Sequence, residues 1–160
     1  MSATPDLALR AEIQDLYAEY ASCLNEPRFE EWPELFCETG QYKLVPRENH
    51  AAGLGLATIA LSSRAMMKDR IYGASNTLFH APYYQRHIIS LPRLRLEEDG
   101  SVRATTNYVV FRTKYDAMTD ILNAGVYHDH IVRENGALRF AEKLCVYDSE
   151  LIPNSIIYPI

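Results

Sequence analysis

Near the C-terminal end, His128-Asp129-His130 puts two imidazoles and a carboxylate into one short stretch, GVYHDHIVRENG (125–136). These side chains are common ligands of zinc and non-haem iron, and common proton carriers near neutral pH. The residues around them favour a strand, on which successive side chains point to opposite faces. Val126, His128, His130 and Val132 therefore share one face, and Tyr127, Asp129, Ile131 and Arg133 share the other. Asp129 joins both histidines around one ion only if a bulge intervenes. His128 and His130 supply two ligands by themselves, and a third has to come from His87 or His80. The same spacing is met by histidines that simply pack or hydrogen-bond on a sheet, and the residues favour that reading.

A second chemistry is proton transfer. Tyr17, Tyr42, His87 and His130 lining the cavity of an open conical sheet are the residue types for an isomerase, dehydratase or hydrolase. Without turnover, the same cavity makes a small-ligand binding module. Other chemistry lacks its signatures. There is no glycine-rich phosphate loop, no G-x-S-x-G elbow and no H-E-x-x-H. No cysteine has a histidine two residues on, so a two-cysteine, two-histidine iron–sulfur site is not assembled.

The elements that hold these residues divide the chain into a helical part and a β part. Thr4 as cap, Pro5 at the first helical position and Asp6 in the first turn predict a helix start. Leu9, Ile13, Leu16, Tyr17, Tyr20 and Leu24 then form one apolar face, and Asn25-Glu26-Pro27 stops it. Phe29, Trp32 and Phe36 predict a short second helix broken at Pro33, ended by Gly40 before the strand QYKLV (41–45). Residues 46–62 read as a long loop with an ambiguous LATIAL. Ser62-Ser63 caps a third helix, RAMMKDRIY. From about residue 83 the pattern is β: YYQRHIISL, PRLRLEE, VRATTNYVVFRTKY, ILNAGVYHDHIVR and ALRFAEKLCVYDS. Asp99-Gly100 and Asn135-Gly136 mark hairpin turns. Helices followed by a meander of long strands give an α+β fold, one domain over residues 1–160.

The chain has 160 residues, 48% hydrophobic and 23% charged, enough for a full core. Net charge is −5 with basic residues scattered along the sequence, which argues against nucleic acid as partner. No apolar run approaches the roughly 20 residues of a membrane span, and MSATPDLALR does not read as a signal peptide. Cys23, Cys37 and Cys145 form no C-x-x-C pair and read as buried thiols of a reducing cytoplasm.

The order of these elements resembles the conical nuclear-transport-factor-2-like (cystatin-like) fold, with helices packed on a strongly curved, mainly antiparallel sheet. Within it, EEWPELFCETGQYKLVPREN (30–49), MMKDRI (66–71), QRHIISL (85–91) and GVYHDHIVRENGALRFAEKLCVYDSELIPNSI (125–156) resemble the small, or beta, subunit of Rieske-type aromatic-ring-hydroxylating oxygenases. The last stretch carries a Gly-x-Tyr-x-Asp strand, a glycine turn and a strand ending in aspartate. The resemblance runs from about residue 8 to 157, and VPRENH (45–50) is similar to the branch acting on aromatic acids such as terephthalate or salicylate.

That resemblance implies a structural subunit with no catalytic, cofactor or metal residues of its own. The Rieske [2Fe-2S] cluster and the mononuclear Fe(II) belong to a partner alpha subunit in an α3β3 hexamer, served by a ferredoxin or reductase. Tyr127 and Asp129 are the positions the family pattern stresses, rather than His128 and His130. Candidate interface residues are Arg70, Arg86, His87, Tyr127, Asp129, Ile156 and Tyr158. The apolar tail from Leu151 to Ile160 is expected to dock within the subunit or against a neighbour.

Overall fold

The computed structural model describes residues 4–153 and 155–160. The first helix, α1 (Leu7–Asn25), buries Ile13, Leu16, Tyr17, Tyr20, Cys23 and Leu24 along one face, as their spacing predicts. Its cap is Asp6 rather than Thr4. Asp6 has extended backbone, and its carboxylate accepts from the Leu9 N–H at 2.8 Å. The expected second helix is a single 3₁₀ turn, Trp32–Leu35, because Pro33 is tolerated in a first turn but not within a helix.

The strand β1 (Phe36–Pro46) begins directly after that turn, so Gly40 lies inside a strand instead of ending a helical segment. Residues 46–62 hold more than a loop: a short helix, α2 (Arg47–Ala51), and a short strand, β2 (Ile59–Leu61). The third helix, α3 (Arg64–Asn76), is capped by Ser63, whose side chain accepts from Met66 N–H at 3.2 Å. Then follow β3 (Tyr83–Ile89), β4 (Arg93–Leu96), β5 (Val102–Lys114), β6 (Asp120–Glu134) and β7 (Ala137–Tyr147).

All seven strands belong to one open sheet, ordered β2-β1-β7-β6-β5-β3, with β4 also pairing β5. The expected antiparallel meander holds from β4 to β7, while β3 skips β4 and pairs antiparallel with β5. The β1–β7 pair, however, is parallel, and it makes the sheet mixed. The register shifts within β1–β7, β5–β6 and β6–β7, and irregularities of this kind bend strands into a curved sheet.

Two hairpin features follow directly from residue type. Asn135 and Gly136 both have positive φ, 51° and 82°, the conformation that a two-residue β6–β7 turn needs. At Gly125 the β7 backbone comes so close that a Cβ would lie 2.8 Å from Tyr147 Cα and nearer still to the Val146 carbonyl oxygen.

The concave side is filled by aromatic rings. Trp32, Phe36, Tyr42, Phe140, Tyr17, Tyr20 and Tyr127 are all buried, and most of their contacts are edge-on or tilted. The tail adds Ile156, Pro159 and Ile160 to this interior while Leu151 stays exposed, so the expected docking is within the chain.

Candidate functional site

The Asp129 of the HDH stretch pairs across the β6–β7 ladder with Lys143, and both side chains point inward. Lys143 Nζ donates to Asp129 Oδ2 at 3.0 Å, and neither side chain has any exposed surface. The Tyr17 hydroxyl, brought in by α1, donates to the same oxygen. The ammonium also faces four rings, with centroids at 3.6 Å (Tyr127), 4.3 Å (Tyr20), 4.6 Å (Phe140) and 5.0 Å (Tyr17). The aromatic faces and the carboxylate together replace the water that a buried ammonium would otherwise need. Burial pushes the Asp129 pKa upward, against the pull of Lys143 and Tyr17. Asp129 Oδ1 has no hydrogen-bond partner among the described residues.

The four residues proposed for proton transfer do not form one site. Tyr42 is bound to the tail: its oxygen accepts from the Ile160 N–H at 2.8 Å and donates to the Ile160 carbonyl at 3.2 Å. The Tyr20 hydroxyl donates to the same carbonyl. Tyr17 is held by Asp129. His87 sits under the end of α1, its Nδ1 2.9 Å from Asn25 Oδ1, which also accepts from the His87 backbone N–H at 2.8 Å. That makes Nδ1 the protonated nitrogen and leaves Nε2 buried without a partner among the described residues. Desolvation, and then the charge of Lys143, lower its pKa to about 3. His130 lies on the outer face of the sheet, away from the other three.

Both histidines of the HDH stretch point outward, so they do not form an interior metal or acid–base site. His128 is exposed and stacks on His50, with ring centroids 5.6 Å apart. Among the described residues, one group of three potential ligands is close enough to hold an ion: Glu19, Cys23 and Glu31. The Arg28 guanidinium already bridges those carboxylates, 3.0 Å from Glu19 and bonded to Glu31. Burial and Glu19 push the Cys23 thiol up to about 12. One protonated thiol and two paired carboxylates do not fit a Rieske cluster or a two-histidine iron centre.

Several candidate interface residues are buried by their own chain. Tyr127, Asp129, His87 and Ile156 lie in the interior, because strand alternation and the inward turn of the tail direct them there. Arg70 donates to the Ile156 and Ile157 carbonyls at 2.9 and 3.2 Å, an internal role. Tyr158 is half-buried, stacked on Phe29 at 4.4 Å and hydrogen-bonded to His80 at 2.7 Å. Arg86 alone of the seven is exposed. Sequence reasoning missed Lys143 as a member of the polar interior. Lys143 has the strand parity of Cys145 and Tyr147, and a lysine at an inward position was the available signal.

On the outer face, cross-strand register gathers cations that are scattered in sequence. One row runs Arg95, Arg103, His130, Glu142 and Gln41; the next runs Arg93, Thr105, His128, Leu144 and Lys43. All of them except His130 line a cleft of about 680 Å³. Glu97 and Glu142 neutralise Arg95 and Arg103, at 2.7 and 2.9 Å.

A family model described as a SnoaL-like domain matches residues 5–143. The chain belongs to the SnoaL-like family. It is similar to several dioxygenase small subunits. It is 30% identical over 157 residues to the anthranilate 1,2-dioxygenase small subunit of Burkholderia cepacia, covering 98% of each chain. It is 27% identical to the beta 1 subunit of the terminal oxygenase component of terephthalate 1,2-dioxygenase from Comamonas, covering 93% of this chain and 97% of that one. A crystal structure from Novosphingobium aromaticivorans, assigned as the beta subunit of an aromatic-ring-hydroxylating dioxygenase, superposes with a TM-score of 0.87 at 33% identity, covering 96% of this chain and 97% of that chain. In this SnoaL-like subunit the concave side is taken up by the caged Lys143–Asp129 pair and by the chain's own tail.

Proposed function

We propose that this chain is the structural, non-catalytic beta subunit of the terminal oxygenase component of a multicomponent aromatic-ring-hydroxylating system. The carrying observation is end-to-end kinship with the anthranilate dioxygenase small subunit, over 98% of both chains. The interior supports the reading, since the hydroxyls of Tyr17, Tyr20 and Tyr42 are engaged by groups of the chain itself. The Rieske [2Fe-2S] cluster and the mononuclear Fe(II) reside in a partner alpha subunit. Electrons from NAD(P)H reach that subunit through a reductase or ferredoxin.

In this reading residues 1–160 act as one domain, three copies join three alpha subunits in the cytoplasm, and the ring substrate is an aromatic acid. No helix among the described residues is long and apolar enough to cross a membrane. The contact surface toward the alpha subunit includes the outward side of the edge strand β3, where Tyr84, Arg86 and Ile88 are exposed. An edge strand with exposed apolar residues is a ready surface for a partner.

The test is co-expression with the large subunit, with light scattering, iron analysis and turnover of an aromatic acid. The expected result is a hexamer that carries iron and turns over, with an iron-free and inactive chain when it is expressed alone. Stoichiometric iron, or turnover by the isolated chain, overturns the proposal.

A further inference from the structure

The chain carries 21 acidic and 16 basic side chains, so pairing without regard to place leaves acids over. On the outer face of the sheet the reverse holds. Arg95 and Arg103 have their carboxylates in Glu97 and Glu142. The neighbouring row, Arg93, Thr105, His128, Leu144 and Lys43, contains no acid at all. Arg93, His128 and Lys43 are exposed, and among the described residues none of them pairs with a carboxylate.

This row is a product of the fold. Its members come from five strands, β4, β5, β6, β7 and β1, and four strand spacings of about 4.8 Å put Arg93 and Lys43 about 19 Å apart at the backbone. The short helix α2 adds His50 beside the middle of the row, its ring stacked on His128 at 5.6 Å with 24° between the planes. Burial, and then the facing His50, lower the His128 pKa. Like charges set side by side across strands repel, and an anion lying along the row turns that repulsion into attraction.

The arrangement narrows the ligand. Its positive groups are spread along a line, which suits several linked negative groups better than a single one. The Arg93 guanidinium is a planar fork that matches phosphate and carboxylate oxygens, and the Thr105 hydroxyl and the imidazoles supply further donors to the same oxygens. The cleft, about 680 Å³, has the size of a small-molecule site.

We propose that this outer cleft is a binding site for a small, extended polyanion bearing phosphate or carboxylate groups. Arg93 and Lys43 hold its two ends, and His128 with His50 holds its middle. The site uses no residue of the sheet interior and is independent of the role proposed for the chain within an oxygenase.

The test is calorimetry on the full chain at low salt, where attraction between exposed charges is least screened. Tripolyphosphate and citrate are the probes, and inorganic phosphate is the single-group control. The better probe is expected to bind about tenfold or more tighter than inorganic phosphate, and which of the two it is decides between phosphate and carboxylate as the ligand's groups. Lys43→Gln combined with Arg93→Gln is expected to weaken that binding about tenfold or more. Lys114→Gln removes an exposed charge at the far end of β5 and is expected to change it less than about twofold. Every substituted side chain is exposed, so the unfolding midpoints are expected to stay at the native value. Probes that bind no tighter than inorganic phosphate, or an equal loss in Lys114→Gln, overturn the proposal. A glutamate-rich peptide that binds more tightly than either probe also overturns it, because the cleft then belongs to an acidic segment of a protein.

Discussion

Lys143 lies directly across the β6–β7 pair from Asp129, its Nζ 3.0 Å from Oδ2, and neither side chain reaches solvent. The pair ties the two long hairpin strands together and, through the Tyr17 hydroxyl, anchors α1 to the sheet. A buried charge is tolerable only with its partner, so the two residues are energetically inseparable.

Removing one partner leaves the other charge stranded. Lys143→Met is expected to destabilise the chain by about 3–5 kcal/mol. Combining it with Asp129→Leu is expected to restore most of that loss, because an apolar pair needs no compensation. A double-mutant cycle by urea unfolding checks this, and additive losses would refute the coupling.

His87 makes the fold sensitive to acid. Its folded pKa is lowered from 6.5 to about 3 by burial, so between those values the unfolded chain binds a proton that the folded chain does not. Stability from this group is therefore complete above pH 6.5 and falls as pH drops toward 3. At pH 5 the loss is about 2 kcal/mol relative to neutral pH. Asp129 works in the opposite sense: its raised pKa lets the folded chain keep a proton that the unfolded one releases, so it does not drive acid unfolding. Unfolding curves at pH 7 and pH 5 are expected to show the slope in the native chain and lose it in His87→Leu.

The close approach of β7 at Gly125 forbids any side chain there. Gly125→Ala is expected to destabilise by about 3 kcal/mol or more, since the clash is with backbone of a paired strand that has nowhere to move. Gly53, with nothing within 4 Å of a Cβ, is the steric control, where Gly53→Ala meets only the strain of its φ of 65°. Thermal unfolding of the two variants separates clash from backbone strain.

Arg86 and Arg70 are expected to separate assembly from stability. Arg86→Glu, on the exposed side of β3, is expected to weaken association with the large subunit about tenfold while leaving the unfolding midpoint unchanged. Arg70→Ala removes two hydrogen bonds to the tail and is expected to lower the midpoint. Light scattering of the co-expressed complex and melting of the isolated chain make the comparison.

Local residue pattern determined most of the elements. The apolar face of α1, the Ser63 cap, the Asn135-Gly136 turn and the alternation that sends His128 and His130 outward depend on neighbours a few residues apart, and the sequence states them directly. The resemblance to oxygenase beta subunits was legible too, because it is spread over nearly the whole chain. Tertiary structure alone decided the rest. The parallel β1–β7 pair joins residues about a hundred positions apart, and no local pattern encodes such a pairing. It also decided that Lys143 meets Asp129 inside a ring of aromatics, and that the tail turns into the cone to meet Tyr20 and Tyr42. Those contacts depend on how a curved sheet closes over α1, and that curvature arises from long-range packing and irregular register rather than from the preference of any one residue.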